Sequence, residues 1–74
     1  MKNTEVYLED TFLRKSLRDA RSSKHLTQKE LSDITGLSIA TISNIESGEG
    51  SPTLRSLILY ANAVGYGIQL RKNK

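Results

Sequence analysis

One imidazole, His25, and no cysteine leave this chain of 74 residues little acid–base, nucleophilic or metal-binding chemistry. General acid–base catalysis wants a histidine or a carboxylate pair in a cleft, and a chain this short builds no deep cleft. His25 stands between Lys24 and Leu26 where a turn is expected, and a solvated turn residue is the role that fits it. The serines and threonines lack a companion base, so they read as helix caps and polar contacts rather than nucleophiles. One soft ligand does not make a structural zinc site. The sequence therefore predicts no enzyme, no metal and no cofactor. What remains is recognition chemistry: basic side chains for a polyanion, and small polar side chains on an outward helix face.

The charge lies in blocks. The chain carries 11 Lys and Arg against 8 Asp and Glu, a net +3. Residues 11–25 hold Arg14, Lys15, Arg18, Arg21 and Lys24 against Asp19 alone. Residues 51–74 hold Arg55, Arg71, Lys72 and Lys74 and no acid, whereas 1–10 and 26–50 are net acidic. Basic blocks around an acidic middle fit a nucleic-acid partner, and on charge alone they fit an ordinary solvated surface equally well. No apolar run approaches the roughly 20 residues that span a bilayer. No charged-then-apolar leader opens the chain. The expectation is a soluble, cytoplasmic protein.

Four helices must position these groups. Asp10 is placed to cap a first helix through Thr11 to about Ser23, with Leu13, Leu17 and Ala20 as its apolar stripe and Arg14, Lys15 and Arg18 off it. Thr27-Gln28-Lys29-Glu30 has the capping-box pattern. Leu31 and Ile34 are expected to supply the buried face of the helix that follows, with Gly36 ending it. Ser38 can cap the next helix, whose apolar side is Ile42 and Ile45, and Ser47-Gly48 stops it. Thr53 caps a fourth, with Leu54, Leu57, Ile58 and Ala61 on one face and Gly65 past its end. Tyr66-Gly67-Ile68-Gln69-Leu70-Arg71 alternates apolar and polar, a strand signal. The domain reading is an arm at 1–10, a helical domain at 11–65 and a strand and tail at 66–74.

Thr27 to Glu46 is thus helix, glycine turn, helix, TQKELSDITGLSIATISNIE. So short a turn sets the pair at a steep angle, and the second helix can project from the surface. With Leu37, Ile42 and Ile45 facing inward, Ser38, Ile39, Ala40, Thr41, Ser43 and Asn44 are left outside. An outward face with no acid fits a DNA major groove, while periodicity alone favours a plain helical bundle.

The stretch LTQKELSDITGLSIATISNIESGEGSPTLRSLILYANAVG resembles the helix-turn-helix domain of lambda-repressor and Cro-like (XRE-type) regulators. The markers are Leu26-Thr27-Gln28, Glu30-Leu31, Gly36, Ile42-Ser43, Ile45-Glu46-Ser47-Gly48, Pro52-Thr53-Leu54 and Ala61-Asn62-Ala63 before Gly65. That resemblance implies an all-α bundle of four or five helices that binds operator DNA as a symmetric homodimer. Matched position by position, it implies phosphate contacts at Thr27, Gln28 and Asn44, base-facing positions at Ser38, Ile39, Ala40, Thr41 and Ser43, and a buried ion pair between Arg21 and Glu46. Many relatives carry Gln, Arg or Lys where Ile39 and Ala40 stand. Neither residue donates a bidentate hydrogen bond, so readout through thymine methyls, hydroxyls, water and DNA shape is expected instead.

A lone terminal strand would leave an unpaired edge, and pairing with a second copy across a two-fold axis satisfies it. Tyr66, Ile68 and Leu70 would then form the dimer seam; pairing with Thr4–Leu8 of the same chain is the alternative. The tail YGIQLRK and the helix SIATISN are also similar to antitoxins paired with HipA-type kinases. That similarity implies a repressor that controls its own operon and binds a kinase-like toxin. A stand-alone phage or restriction–modification regulator, and a protein-interaction module without DNA binding, are the other readings.

Overall fold

The computed structural model describes residues 10–68, with the side chains of Asp10 and Thr11 excepted. Its elements are α1 (Asp10–Ser23), α2 (Gln28–Thr35), α3 (Ile39–Ser47) and α4 (Leu54–Ala63). α1 packs on α3, and α2 packs on both α3 and α4. The core where they meet is Leu17, Leu31, Ile42, Ile45, Tyr60, Ala61 and Val64, all buried.

Local chemistry sets the helix bounds. The Thr27 hydroxyl accepts the Glu30 N–H at 3.0 Å and Glu30 Oε1 accepts the Thr27 N–H at 2.8 Å, so two donors that have no intrahelical partner are satisfied reciprocally. Ser38 and Thr53 cap α3 and α4 with one bond each, accepting the N–H groups of Thr41 and Ser56. Gly36, after α2, has φ +81, a left-handed conformation that a Cβ would penalise. α1 ends differently. His25 takes the left-handed position at φ +59, its N–H donating to the Ser22 carbonyl and the Leu26 N–H to the Arg21 carbonyl. A histidine there costs about 1 kcal/mol that a glycine would not.

Five sequence expectations are corrected. Ile34 is 59% exposed, because Leu37, brought round by the Gly36 turn, covers the core at that end of α2. Leu54 is 64% exposed. The stripe of α4 runs through Leu57, Tyr60, Ala61 and Val64, one turn further along than the residues expected, and Leu54 at the helix start lies beyond it. Arg14, off the expected stripe, is only 3% exposed and belongs to the inner face of α1. Asp10 lies within α1 rather than ahead of it. Tyr66–Ile68, the described part of the expected strand, has no regular secondary structure. Ile68 packs against the core of its own chain while Tyr66 is exposed, so the two do not share one face. Gln69–Arg71, Leu70 among them, and the arm 1–9 lie outside the described residues.

Candidate nucleic-acid interface

The turn between α2 and α3 is fastened by two side chains of α2 that hold the backbone of Leu37. The Ser32 hydroxyl donates to the Leu37 carbonyl at 2.6 Å, and the Thr35 hydroxyl accepts the Leu37 N–H at 3.1 Å. Thr35 also donates to the Leu31 carbonyl at 2.8 Å. With Gly36 left-handed between them, these bonds fix the angle at which α3 leaves α2. Ile42 and Ile45 are fully buried and pin the inner side of α3.

The outer side of α3 divides in two. Ser38, Ile39, Ala40, Ser43 and Asn44 are exposed. Thr41 is half-buried and shares a 2.9 Å hydroxyl–hydroxyl bond with Ser38, whose oxygen also accepts the Thr41 N–H. Those two hydroxyls therefore serve the cap as well as any outside partner. Ile39, Ala40, Ser43 and Asn44 carry no such commitment within the helix, and no acid stands among them.

At the N-terminus of α2 the N–H groups of Gln28 and Lys29 have no intrahelical acceptor, a geometry that suits phosphate oxygens. Thr27 and Glu30 are occupied with each other. Gln28 is half-buried and turns part of its side chain inward: Nε2 donates to Glu46 Oε1 at 3.1 Å. One amide proton is thereby spent, leaving the second proton and the amide oxygen for a ligand.

Glu46 is the junction of the molecule. Arg21 meets it with both edges of its fork, Nε at 2.6 Å from Oε2 and the terminal nitrogen at 2.9 Å from Oε1. A third Arg21 nitrogen donates to the Leu26 carbonyl at 2.6 Å. The Tyr60 hydroxyl donates to Glu46 Oε2. One carboxylate thus joins a side chain from each of the other three helices. Burial pushes the Glu46 carboxyl upward, but the hydrogen bonds from Arg21, Tyr60 and Gln28 outweigh it and hold the group below its ordinary value. The bond to Glu46 raises Arg21 against the cost of its own burial. Burial first, and the bond to Glu46 second, push Tyr60 well above the usual phenol range.

Sequence reasoning named Arg21 and Glu46 and missed Tyr60, Arg14 and the inward half of Gln28. Tyr60 had a signal, its place three residues after Leu57 and four before Val64 on the α4 stripe. Arg14 had one too, two turns before Arg21. Among the described residues no helix is long and apolar enough to cross a membrane, and no cluster of metal ligands occurs.

Over 56 residues, 76% of this chain, the sequence is 32% identical to the cryptic phage CTXphi transcriptional repressor RstR of Vibrio cholerae serotype O1. The chain spans 50% of that relative's length. A helix-turn-helix family model matches residues 17–70, which takes in the cap of α2, the fastened turn, α3 and the Glu46 junction. The chain belongs to the helix-turn-helix family.

Proposed function

We propose that the protein is a DNA-binding transcriptional repressor that works as a homodimer, with α3 entering the major groove and the start of α2 resting on phosphate. The observation that carries this reading is the exposed, acid-free face of Ile39, Ala40, Ser43 and Asn44 on a helix pinned from beneath by Ile42, Ile45 and Glu46. A helix with its side chains is about 10–12 Å across, a fit to the major-groove width of about 12 Å. The helix-turn-helix family match supports the DNA-binding part, and the similarity to a phage repressor supports repression. Thr27, Gln28 and Asn44 take the phosphate contacts in this reading. Ser38, Ile39, Ala40, Thr41 and Ser43 face bases, with Ile39 and Ala40 against thymine methyls.

The experiment is gel shift beside thermal melting, on a duplex selected by the protein from a randomised pool. Ile39→Asp places a carboxylate on the groove face; affinity should fall by about 1–3 kcal/mol or more with the melting temperature unchanged. Unchanged affinity removes α3 from the interface and leaves a protein-interaction module as the reading. Gln28→Ala should weaken selected and random duplexes equally, since phosphate contacts carry no sequence information.

The homodimer is assigned to the segment that starts at Tyr66, whose side chain is exposed. A chain ending at Gly65 should be mostly monomeric by light scattering; a persistent dimer moves the seam to the helices. The narrower role, an autoregulating antitoxin bound to a HipA-type kinase, is supported by the similarity of SIATISN and YGIQLRK to such antitoxins. Co-purification with a kinase-like product of the adjacent reading frame tests it. Operator binding with no such neighbour favours a stand-alone phage or restriction–modification regulator.

A further inference from the structure

Arg14 takes no part in the interface described above, yet its buried side chain reaches across the sequence to the far end of α3. One terminal nitrogen donates to the Glu49 carbonyl at 3.0 Å and to the Asn44 carbonyl at 3.3 Å, and the other donates to the Gly50 carbonyl at 3.1 Å. Asn44 O is a last-turn carbonyl of α3, also receiving the N–H groups of Gly48 at 3.1 Å and Glu49 at 3.0 Å. Glu49 and Gly50 belong to the loop that leads to α4. That loop folds back on the helix: a Cβ at Gly50 would stand 3.6 Å from Asn44 Nδ2. The guanidinium therefore acts on Asn44 from two directions, through the Asn44 carbonyl and through Gly50, on whose Cβ side the Asn44 side chain lies. A planar fork can serve carbonyls on both sides at once, and a lysine ammonium cannot reproduce that geometry.

We propose that Arg14 is the positioning residue for Asn44: from the buried side it fixes the side chain with which α3 grips a DNA phosphate, without touching DNA. The inference rests on the DNA-binding reading given above. The carbonyls that Arg14 holds belong to the end of α3 and the following loop, so its loss should free that region and leave the α2–α3 turn and the outward Ile39 unchanged.

The test compares parent, Arg14→Lys, Asn44→Ala and the double variant on a duplex the parent has selected from a randomised pool. Binding is measured at a temperature where melting curves show all four folded. Each single variant should lose about tenfold in affinity, the worth of one hydrogen bond to a charged group. The double variant should lose no more than the weaker-binding single, because both changes remove one contact. Amide exchange should quicken at Gly48, Glu49 and Gly50 in Arg14→Lys and stay unchanged at Gly36 and Leu37. Gly50→Ala strains the same loop at φ +70, and it replaces Arg14→Lys in the cycle if that variant unfolds. Losses that multiply, or loop exchange that does not change, overturn the proposal while the DNA-binding reading stands. A parent that selects no duplex overturns both.

Discussion

Arg14 and Arg21 stand two turns apart on the same face of α1, and both send their guanidinium groups inward. Arg21 meets a carboxylate that also binds Gln28 and Tyr60. Arg14 meets three backbone carbonyls around one loop. The two sites differ in what is left when the arginine goes. Without Arg21, Glu46 is a buried charge that has lost its counter-charge. Without Arg14, the carbonyls of Asn44, Glu49 and Gly50 lose a donor but stand on exposed residues, where a small opening lets water replace the guanidinium. A carboxylate shared by side chains of three other helices therefore governs whether the domain folds, and a guanidinium holding the carbonyls of one loop governs the shape of one corner.

Glu46→Ala should have the largest effect, about 3–5 kcal/mol of stability in denaturant unfolding, since it strands Arg21 and Tyr60 together. A loss under about 1 kcal/mol would make the junction equivalent to a surface pair and end the comparison. The same site has a pH signature. Glu46 is held below its ordinary value of 4.5, so its contribution is complete above that pH and is lost as pH falls through the lower folded value. Glu46→Gln should lose less stability than the parent on acidification below pH 4.5.

Arg14→Met should cost about 2 kcal/mol, below the sum for three lost bonds because the loop can rehydrate. Equality with Glu46→Ala in the same melts would break the contrast between folding and shape. Tyr60→Phe should cost about 1.5 kcal/mol, the worth of one hydrogen bond to a charged acceptor with ring packing kept. Its raised phenol also predicts that the parent weakens above pH 10, where the unfolded chain ionises Tyr60 and the folded one does not, and that Tyr60→Phe weakens less. The smallest effect is favourable: His25→Gly should raise stability by about 1 kcal/mol by relieving the left-handed turn. In that background Arg14→Met should cost the same as in the parent, since the two sites share no partner.

Local chemistry was legible in the chain. The TQKE capping box, Ser38 and Thr53 as caps, Gly36 as a left-handed stop, and Leu17, Leu31, Ile42, Ile45 and Ala61 as core residues follow from interactions within a few positions or from a 3.6-residue period. The Arg21–Glu46 pairing was available from the family resemblance, because a carboxylate partner has a residue type that can be matched to a position.

What tertiary structure decided is the fate of groups whose partners carry no sequence label. Backbone carbonyls look the same at every residue, so nothing in the letters marks those of Asn44, Glu49 and Gly50 as the seat of Arg14. Tyr60 and Ile34 show the same limit. Period and polarity assign a face to each helix, but which part of that face is covered depends on where the neighbouring helix ends and which turn residue comes round to close the gap. Leu37 closed it at one end of α2, and the hydroxyl of Tyr60 turned a core position into the third arm of a buried carboxylate. Short-range preferences determine the elements because they need no partner beyond the next turn, and burial needs the whole assembly.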